Sequence, residues 1–404
     1  MRIDILRFLR LKKVKLIRVT TVPSSLKVLL KDQLRFMSQY FDILAVSSSG
    51  KELHDVKNDE LVRTRIVNMT REFTLLKDLI SLLRMIKLFR EEKPIIVHSH
   101  TPKAGIVSML AGKICGIPIR LHTVAGLPLM EAAGLKRTIL LIVEWVTCMC
   151  ATRVYPNSIG LRDFLIEVVR VPENRLRVLG NGTSNGVDTK YFKFTPSISR
   201  KSVALQHDFG LNACFTFVFI GRIVRDKGVE ELIDAFVKLT DEKPNVRLLM
   251  VGQEEPVTDP LSLRTKGLLQ ANKKIISAGY IDDIRPILGF SDCLVLPSYR
   301  EGFPNVVLQA GCMGVPSIVS NINGCNEIIT HGCNGFIVEP KSKSSLYDAM
   351  KTFASDSIML RAMATKCREG VIDKFDRDEF HQILLNEYYK QLEITRDSDS
   401  RIVE

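Results

Sequence analysis

The sequence predicts an α/β protein built from two doubly wound domains. Its 404 residues exceed what one hydrophobic core normally organises. Short apolar runs alternate with helical patterns, and this alternation occurs twice along the chain. Strands that alternate with helices form parallel sheets covered on both faces. We therefore expect an N-terminal domain at 1–185, a linker at 186–212, a C-terminal domain at 213–375, and a closing helix and tail at 376–404, the helix packing back on the N-terminal domain.

In the first half, apolar runs rich in Ile, Leu and Val predict the strands. We expect them at 15–22, 42–48, 94–100 and 117–124, followed by shorter runs at 153–155 and 175–179. Helical patterns lie between them at 25–39, 71–92, 104–115 and 136–150.

The second half repeats this scheme. Strands are expected at 215–221, 247–252, 274–280, 293–298, 316–320 and 335–340. Helices are expected at 229–240, 283–289, from 305 onward, and at 326–330, 343–354 and 377–392. Ligands of such sheets bind outside the carboxyl ends of the strands. With two domains face to face, we expect the site in the cleft between them.

The positive charge of the chain is confined to its first half. Residues 1–185 contain 30 Lys and Arg against 16 Asp and Glu, a balance of +14, whereas the remainder has 27 against 29, a balance of −2. Such an asymmetry attracts nucleic acid, anionic lipid or a phosphorylated substrate. Nucleic acid is not favoured, because no aromatic-rich basic motif accompanies the charge.

Cysteine usage and hydropathy indicate a reducing compartment. Nine cysteines, an odd number, lie mostly within apolar runs, as free buried thiols do. The N-terminus has no uninterrupted apolar core of a signal peptide, and the longest apolar stretch, 138–151, is too short to span a bilayer and contains Glu144. We expect a cytoplasmic protein without a transmembrane helix.

No metal site is expected. Cys148 and Cys150 are separated by one residue, which is not a common zinc spacing. Asp376 and Asp378 resemble a metal-binding D-x-D only superficially, because they fall at a predicted helix start, where the helix dipole favours acids.

One candidate site follows the strand at 215–221. The stretch "FIGRIVRDKGVEELIDAF" (219–236) ends a strand at Gly221 and begins a helix near Val229. Arg222 and Lys227 flank that helix start, and two cations at a helix N-terminus suit a diphosphate. Taken alone, the stretch fits an ordinary strand–loop–helix connection with exposed basic residues better than it fits a diphosphate site.

A second candidate is "LPSYREGFPNVVLQAGCMGVP" (296–316), which follows the strand at 293–298. Asn305 is a suitable N-cap, and Pro304 keeps the residues before it out of the helix. Glu301 then lies in a tight turn at a strand's carboxyl end, with Gln309 about one helical turn further on. By itself, this stretch is also compatible with a capped helix and a solvated Glu.

Together these residues resemble the retaining GT-B glycosyltransferases of family 4. "GRIVRDKG" (221–228) and "EGFPNVVLQ" (301–309) match that family's signature in order and spacing. "NGVDTKYF" (185–192), "NGCNEII" (323–329) and "HGCNGFIVEP" (331–340) are similar to other elements of its second domain. "VHSHTPKAG" (97–105) and "RLHTVAGLP" (120–128) are similar to the N-domain of the branch that builds bacterial surface polysaccharides and lipid-linked oligosaccharides.

The resemblance implies a role for each matching residue. Arg222 and Lys227 would hold the donor diphosphate and offset the charge of the leaving group, and Glu301 would lie at the donor sugar. Pro304 has no N–H, so only the amides of Phe303, Asn305 and Val306 can donate. The full implied donor site is Gly221, Arg222, Lys227, Gly252, Glu301, Gly302, Phe303, Pro304, Asn305, Val306 and Gln309.

Two positions depart from the family pattern. Gln309 stands where the family usually has a Glu that binds ribose hydroxyls; an amide keeps the hydrogen bonds but not the charge. Ala125 stands where the family commonly has a histidine. Either His100 or His122 would then take its place as a catalytic group, although a lone histidine is more often structural.

The resemblance implies a UDP-sugar-dependent, metal-independent, retaining transferase without a cofactor. It would move a hexose or N-acetylhexosamine to a polyprenyl-diphosphate-linked saccharide. A UDP-N-acetylglucosamine 2-epimerase and a catalytically silent partner in a polysaccharide assembly are the alternatives. The helix at 71–92, with Lys136 and Arg137, would contact anionic membrane at the inner face, unless it is an ordinary cover helix with a solvated basic edge.

Overall fold

The structure is a computed structural model that describes residues 13–70, 74–255 and 259–400. The chain forms two compact units. The first contains the described residues up to Asn185 together with those from Asp378 onward, and the second is Gly186–Arg377.

The first unit is built on a six-stranded, all-parallel sheet in the order β3-β2-β1-β4-β5-β6. Its strands are β1 (Lys15–Val19), β2 (Asp42–Ser47), β3 (Arg63–Ile66), β4 (Ile96–His100), β5 (Ile119–Val124) and β6 (Arg153–Pro156). The five strands other than β3 are almost entirely buried, as expected of a parallel sheet covered on both faces.

Helices cover both faces of this sheet. One face packs against helices Leu75–Glu92, Pro102–Ile114, Gly134–Cys150 and Ile159–Glu167 in a shared core. The other packs against Pro23–Leu29, Gln33–Ser38, Glu52–Asp59 and the C-terminal helix Arg377–Ser400. Phe380, Leu384 and Tyr388 of the C-terminal helix are buried in that second core.

The second unit contains another six-stranded parallel sheet, in the order β12-β11-β10-β7-β8-β9. Its strands are β7 (Phe215–Ile220), β8 (Val246–Val251), β9 (Ile275–Gly279), β10 (Cys293–Leu296), β11 (Ser317–Ser320) and β12 (Gly335–Val338). Its helices are Pro196–Asp208, Val229–Glu242, Leu263–Ala271, Arg285–Leu288, Asn305–Cys312, Cys325–Ile328, Lys343–Phe353 and Ser357–Phe375. A single hydrophobic core joins them. The predicted fold class of two doubly wound α/β domains is confirmed.

Several elements differ from the sequence prediction: helices Glu52–Asp59, Ile159–Glu167 and Leu263–Ala271 were not predicted, and the helix expected at 25–39 is divided into Pro23–Leu29 and Gln33–Ser38. Strand β3 was not predicted, and the run at 175–179 forms only an isolated bridge, between Leu176 and Val154. The stretch 186–212 is not a plain linker: it belongs to the second unit and contains helix Pro196–Asp208, which packs on helix Arg285–Leu288. Helix Ser357–Phe375 also lacked a sequence signal.

Within the described part of the chain, no helix is long and apolar enough to span a bilayer. The nine cysteines are all unpaired, and six of them are buried.

Candidate functional site

The candidate site of the second unit lies at the carboxyl ends of two neighbouring strands, β7 and β10. Gly221 follows β7, and the turn that contains Glu301 follows β10. The two loops touch at Gly228, which has a left-handed backbone (φ 68°); a Cβ there would lie 2.0 Å from the carbonyl oxygen of Pro297. Only glycine permits this approach, which brings Lys227 beside the β10 loop.

Lys227 and Glu301 form the centre of this site. The Lys227 Nζ lies 2.5 Å from Glu301 Oε1, and the Ser298 hydroxyl donates to the same oxygen at 2.8 Å. The amide nitrogen of Asn323 donates to the Glu301 carbonyl at 2.5 Å. Both charged side chains are largely shielded but remain in contact with solvent. Glu301 is therefore fixed by its side chain and its backbone.

Arg222 lies at the more exposed side of the same loop. Its guanidinium is 2.9 Å from Glu255 Oε2 and 3.7 Å from Asp226 Oδ2. Arg300 reaches the same Asp226 oxygen at 3.0 Å. These exposed pairs are individually weak, so a diphosphate, with its greater charge, can displace the acids from Arg222.

Helix Asn305–Cys312 begins next to Glu301. Asn305 was predicted as its N-cap, and this is wrong: Pro304 occupies the N-cap position with an extended backbone, and Asn305 is the first helical residue. Because the proline side chain has no hydrogen-bond acceptor, the helix starts without a side-chain cap. The first N–H groups of a helix have no acceptor inside it, so those of Asn305 and Val306 suit an anion.

Phe303 is buried, and its ring packs 5.3 Å from that of Phe375, which anchors the turn to the core. Gly324 approaches Gly302 so closely that a Cβ would lie 2.3 Å from the Gly302 oxygen. Gly252 follows β8 with φ 146°, and a Cβ there would lie 1.8 Å from the Gly221 oxygen. These two contacts position the Glu301 turn and the Gly221 loop respectively.

Gln309 is half-buried one turn into the helix. Among the described residues, none hydrogen bonds to its side-chain amide. The amide can therefore hydrogen bond to a ligand without breaking a contact within the protein.

His100, the first histidine candidate, lies at the end of β4 in the first unit and is buried. The Arg18 guanidinium lies 2.8 Å from its Nε2. Arginine can only donate, so Nε2 accepts and the ring proton sits on Nδ1. Burial, followed by the charge of Arg18 and by His122, holds the pKa of His100 well below its usual range. In this form His100 donates a hydrogen bond and does not act as a base.

The Nδ1 of His100 has no acceptor among the described residues. His100 also lines a small cavity at the ends of β4, β5 and β6, together with Thr123, Tyr155 and Ser184. Its Nδ1–H is thus a buried donor beside enclosed space.

His122, the second candidate, is buried on the other face of the sheet from His100. Its Nδ1 is 2.8 Å from the Ser99 hydroxyl, and its Nε2 is 4.0 Å from Glu144 Oε1. Burial lowers the pKa of His122 to about 4 and raises that of Glu144 to about 7. A Cβ on Gly105 would lie 2.5 Å from the His122 ring, so this glycine makes room for it.

The structure brings the predicted donor residues together in the second unit, whereas His100 and His122 belong to the first. Sequence reasoning missed the supporting groups Ser298, Asn323 and Asp226 around Glu301 and Arg222. Asn323 could have been identified from the sequence, because it is the first residue of the motif "NGCNEII" (323–329). Within the described residues, no cluster of three or more His, Cys, Asp or Glu side chains could hold a metal ion.

Two doubly wound α/β units, each built on a six-stranded parallel sheet, are the architecture of the GT-B glycosyltransferases. The chain belongs to glycosyltransferase family 4. Residues 34–190 match the family model "Glycosyltransferase Family 4", and residues 212–370 match "Glycosyl transferases group 1".

Two relatives and two solved structures illustrate the similarity. The capsular polysaccharide biosynthesis glycosyltransferase CapM of Staphylococcus aureus is 32% identical over 366 residues, which cover 90% of this chain and 94% of CapM. An Escherichia coli UDP-Gal:alpha-D-GlcNAc-diphosphoundecaprenol alpha-1,3-galactosyltransferase is 28% identical over 345 residues, covering 84% and 86%.

Anabaena HepE in complex with UDP has a TM-score of 0.78 at 18% identity, covering 94% of this chain and 100% of HepE. WaaG, a glycosyltransferase involved in lipopolysaccharide biosynthesis, has a TM-score of 0.65 at 14% identity, covering 89% and 95%. At these identities the two structures establish the fold.

Proposed function

We propose that the protein is a retaining glycosyltransferase of cell-surface polysaccharide or glycan synthesis. It transfers a hexose or N-acetylhexosamine from a UDP-sugar to a saccharide linked to polyprenyl diphosphate. The observation that carries the donor assignment is the Lys227–Glu301 pair at the ends of β7 and β10, with Arg222 beside it.

In this proposal the second unit holds the donor. Lys227 and Arg222 offset the charge that develops on the departing UDP, and the N–H groups of Asn305 and Val306 add partial positive charge. Gln309 hydrogen bonds to ribose hydroxyls. Glu301, held by Ser298 and Asn323, accepts hydroxyl hydrogen bonds from the donor sugar.

Retention follows if the acceptor attacks from the face that the UDP leaves. The departing phosphate oxygen then takes the acceptor's proton while the bond to the anomeric carbon breaks and the new glycosidic bond forms. Lys227 keeps the phosphate charge balanced during this step. The proposal needs no metal and no cofactor besides the donor.

The lipid-linked acceptor is supported by the relatives and by charge. The Escherichia coli relative is named for a diphosphoundecaprenol substrate, and CapM for capsular polysaccharide. The excess of positive charge in residues 1–185 suits an acceptor that carries a diphosphate. We place the enzyme in the cytoplasm, peripheral to the inner face of the cell membrane.

The experiment is UDP release from a panel of UDP-sugars, followed by NMR, with and without a polyprenyl-diphosphate-linked saccharide. Acceptor-dependent release with an α-linked product from an α-linked donor is expected. Isomerisation of the donor without acceptor would replace the proposal by an epimerase.

A silent assembly partner is the second candidate, favoured by Gln309 and Ala125, the two departures from the family pattern. It would bind no donor and release no UDP under any condition. Donor binding by the wild-type protein would exclude it.

A further inference from the structure

Two helices of the first unit expose a row of large apolar side chains. Spacings of three, four and seven residues place each row along one side of its helix. The exposed residues are Leu76, Leu79, Ile80 and Leu83 on helix Leu75–Glu92, and Leu135, Ile139, Ile142 and Trp145 on helix Gly134–Cys150. Large apolar side chains that are exposed together on a protein surface mark a binding site.

Both rows face away from the same side of the sheet. Helix Pro102–Ile114 packs against both of these helices, and all three contribute buried residues to one core. Met85 and Phe89 are buried on the inner side of the first helix, and Cys148 on that of the second. The outward sides therefore form two apolar ridges of one helical layer.

Basic residues accompany the apolar ridges. Lys77, Arg84, Lys87, Arg90 and Lys136 are exposed on the same two helices. The acids nearby offset little of this charge: Asp78 is bound by Lys103 at 2.6 Å, Glu144 is buried, and Glu91 offsets one cation, Lys87, at 3.9 Å. The surface combines apolar side chains with a net positive charge.

We propose that this two-helix surface, the exposed apolar and basic side chains of Leu75–Glu92 and Gly134–Cys150, binds an anionic lipid leaflet. The apolar ridges enter the headgroup region, and the basic residues contact the lipid phosphates. A second copy of the chain is disfavoured as the occupant, because a symmetric contact would bring the same cations against each other.

The inference rests on the proposed function in one respect: a lipid-linked acceptor explains why the enzyme would bind a membrane. Its tests involve no turnover. If vesicle binding fails while acceptor-dependent UDP release persists, this surface is wrong and the proposed function stands.

Trp145 provides a direct probe. It is the single tryptophan of the chain, and 45% of its surface is exposed. Vesicles of phosphatidylglycerol and phosphatidylcholine in equal parts should shift its emission to shorter wavelength, and brominated acyl chains should quench it. Vesicles of phosphatidylcholine alone should act more weakly. Absence of both the shift and the quenching overturns the proposal, as does a shift that depends only on protein concentration.

Paired variants separate the two contributions. Leu79→Ser with Leu83→Ser should lower affinity for the anionic vesicles at least about tenfold at any salt concentration, because apolar burial is not screened. Lys77→Gln with Lys87→Gln should lower it severalfold at low salt and have little effect at high salt. Leu263→Ser with Ile358→Ser, two apolar residues of the second unit that are more exposed than Leu79 and Leu83, is the control and should bind like wild type. Equal losses in the control and the Leu79/Leu83 variant would contradict the assignment.

Discussion

In the second unit Lys227 and Glu301 form a charged pair 2.5 Å apart that remains in contact with solvent, whereas in the first unit His100 and His122 are buried. Burial lowers the pKa of both histidines, so they are neutral at physiological pH. Ionisable residues at strand ends thus serve different purposes in the two units. The charged pair of the proposed donor site stays near water, where an anionic ligand can reach it, whereas the buried histidines are neutral hydrogen-bonding groups.

The largest expected effect is on the charged pair. Lys227→Ala should lower turnover by about 100- to 1000-fold, because it removes a cation from the departing diphosphate. The fold should persist, since the remaining Glu301 still accepts from Ser298 and can be solvated. The measurement is acceptor-dependent UDP release together with a thermal unfolding curve. Lys266→Ala, on helix Leu263–Ala271, is the matched control; a similar loss in both variants would contradict the site.

The next largest effect is the pH dependence of the free energy of unfolding, to which the buried histidines contribute. Unfolded imidazoles titrate near pH 6.5 and the folded ones lower, so the unfolded state binds more protons below that pH. This contribution to stability is present above pH 6.5 and is lost on acidification. For His122, with its pKa of about 4, it amounts to roughly 3 kcal/mol in the free energy of unfolding. Denaturant unfolding between pH 7 and pH 5 measures the first part of this loss, which is complete only below about pH 4.

Glu144 opposes that loss, because its raised pKa of about 7 gives stability that is present at low pH and lost as pH rises. Glu144→Gln should therefore make the fall on acidification steeper by about 1.4 kcal/mol per pH unit. The exposed Glu393→Gln should leave the slope unchanged. A slope in Glu144→Gln equal to that of wild type would show that this carboxyl is not buried as described.

A smaller effect is expected at Gln309. Gln309→Glu should change the affinity for UDP by no more than about threefold, which is about 0.7 kcal/mol. A carboxylate accepts more strongly from ribose hydroxyls, but its desolvation at this half-buried position offsets the gain. Isothermal titration with UDP measures the change. A gain well beyond threefold would mean that the wild-type amide weakens the site.

The smallest expected change concerns His100. Its Nδ1 should carry the proton, and the ¹⁵N chemical shifts of the ring should stay constant between pH 8 and pH 6, because Arg18 occupies Nε2. Titration of His100 in this range would contradict the distinction between a solvent-contacting charged pair in the second unit and neutral buried histidines in the first.

Most of the fold was predictable from apolar runs, because buried parallel strands are nearly continuous in Ile, Leu and Val. Strand β3, "RTRI", was not predicted, because it is an edge strand whose residues are mostly exposed. Helix Ser357–Phe375 was not predicted, because its charged and apolar residues lack a clear helical period. The run at 175–179 is apolar enough for a strand, but only Leu176 pairs with β6.

The motif residues of the candidate site were identifiable because their spacing is short and local. The environment of His100 could not be predicted from the sequence. It depends on Arg18, which contacts His100, and on Gln33, which accepts from Arg18, and both are distant from His100 in sequence. Pro304 and not Asn305 is the N-cap, because the backbone is still extended at Pro304 (ψ 103°) and Asn305 is already helical. Spacing thus predicts which residues meet at strand ends, while burial decides which of them carry charge.

The most direct test of the central claim is the affinity for UDP in one variant from each unit. We predict that Lys227→Ala raises the dissociation constant at least about tenfold, or 1.4 kcal/mol, whereas His100→Asn leaves it nearly unchanged. Unchanged affinity in Lys227→Ala, or a loss confined to His100→Asn, would contradict the assignment of the donor to the charged site of the second unit.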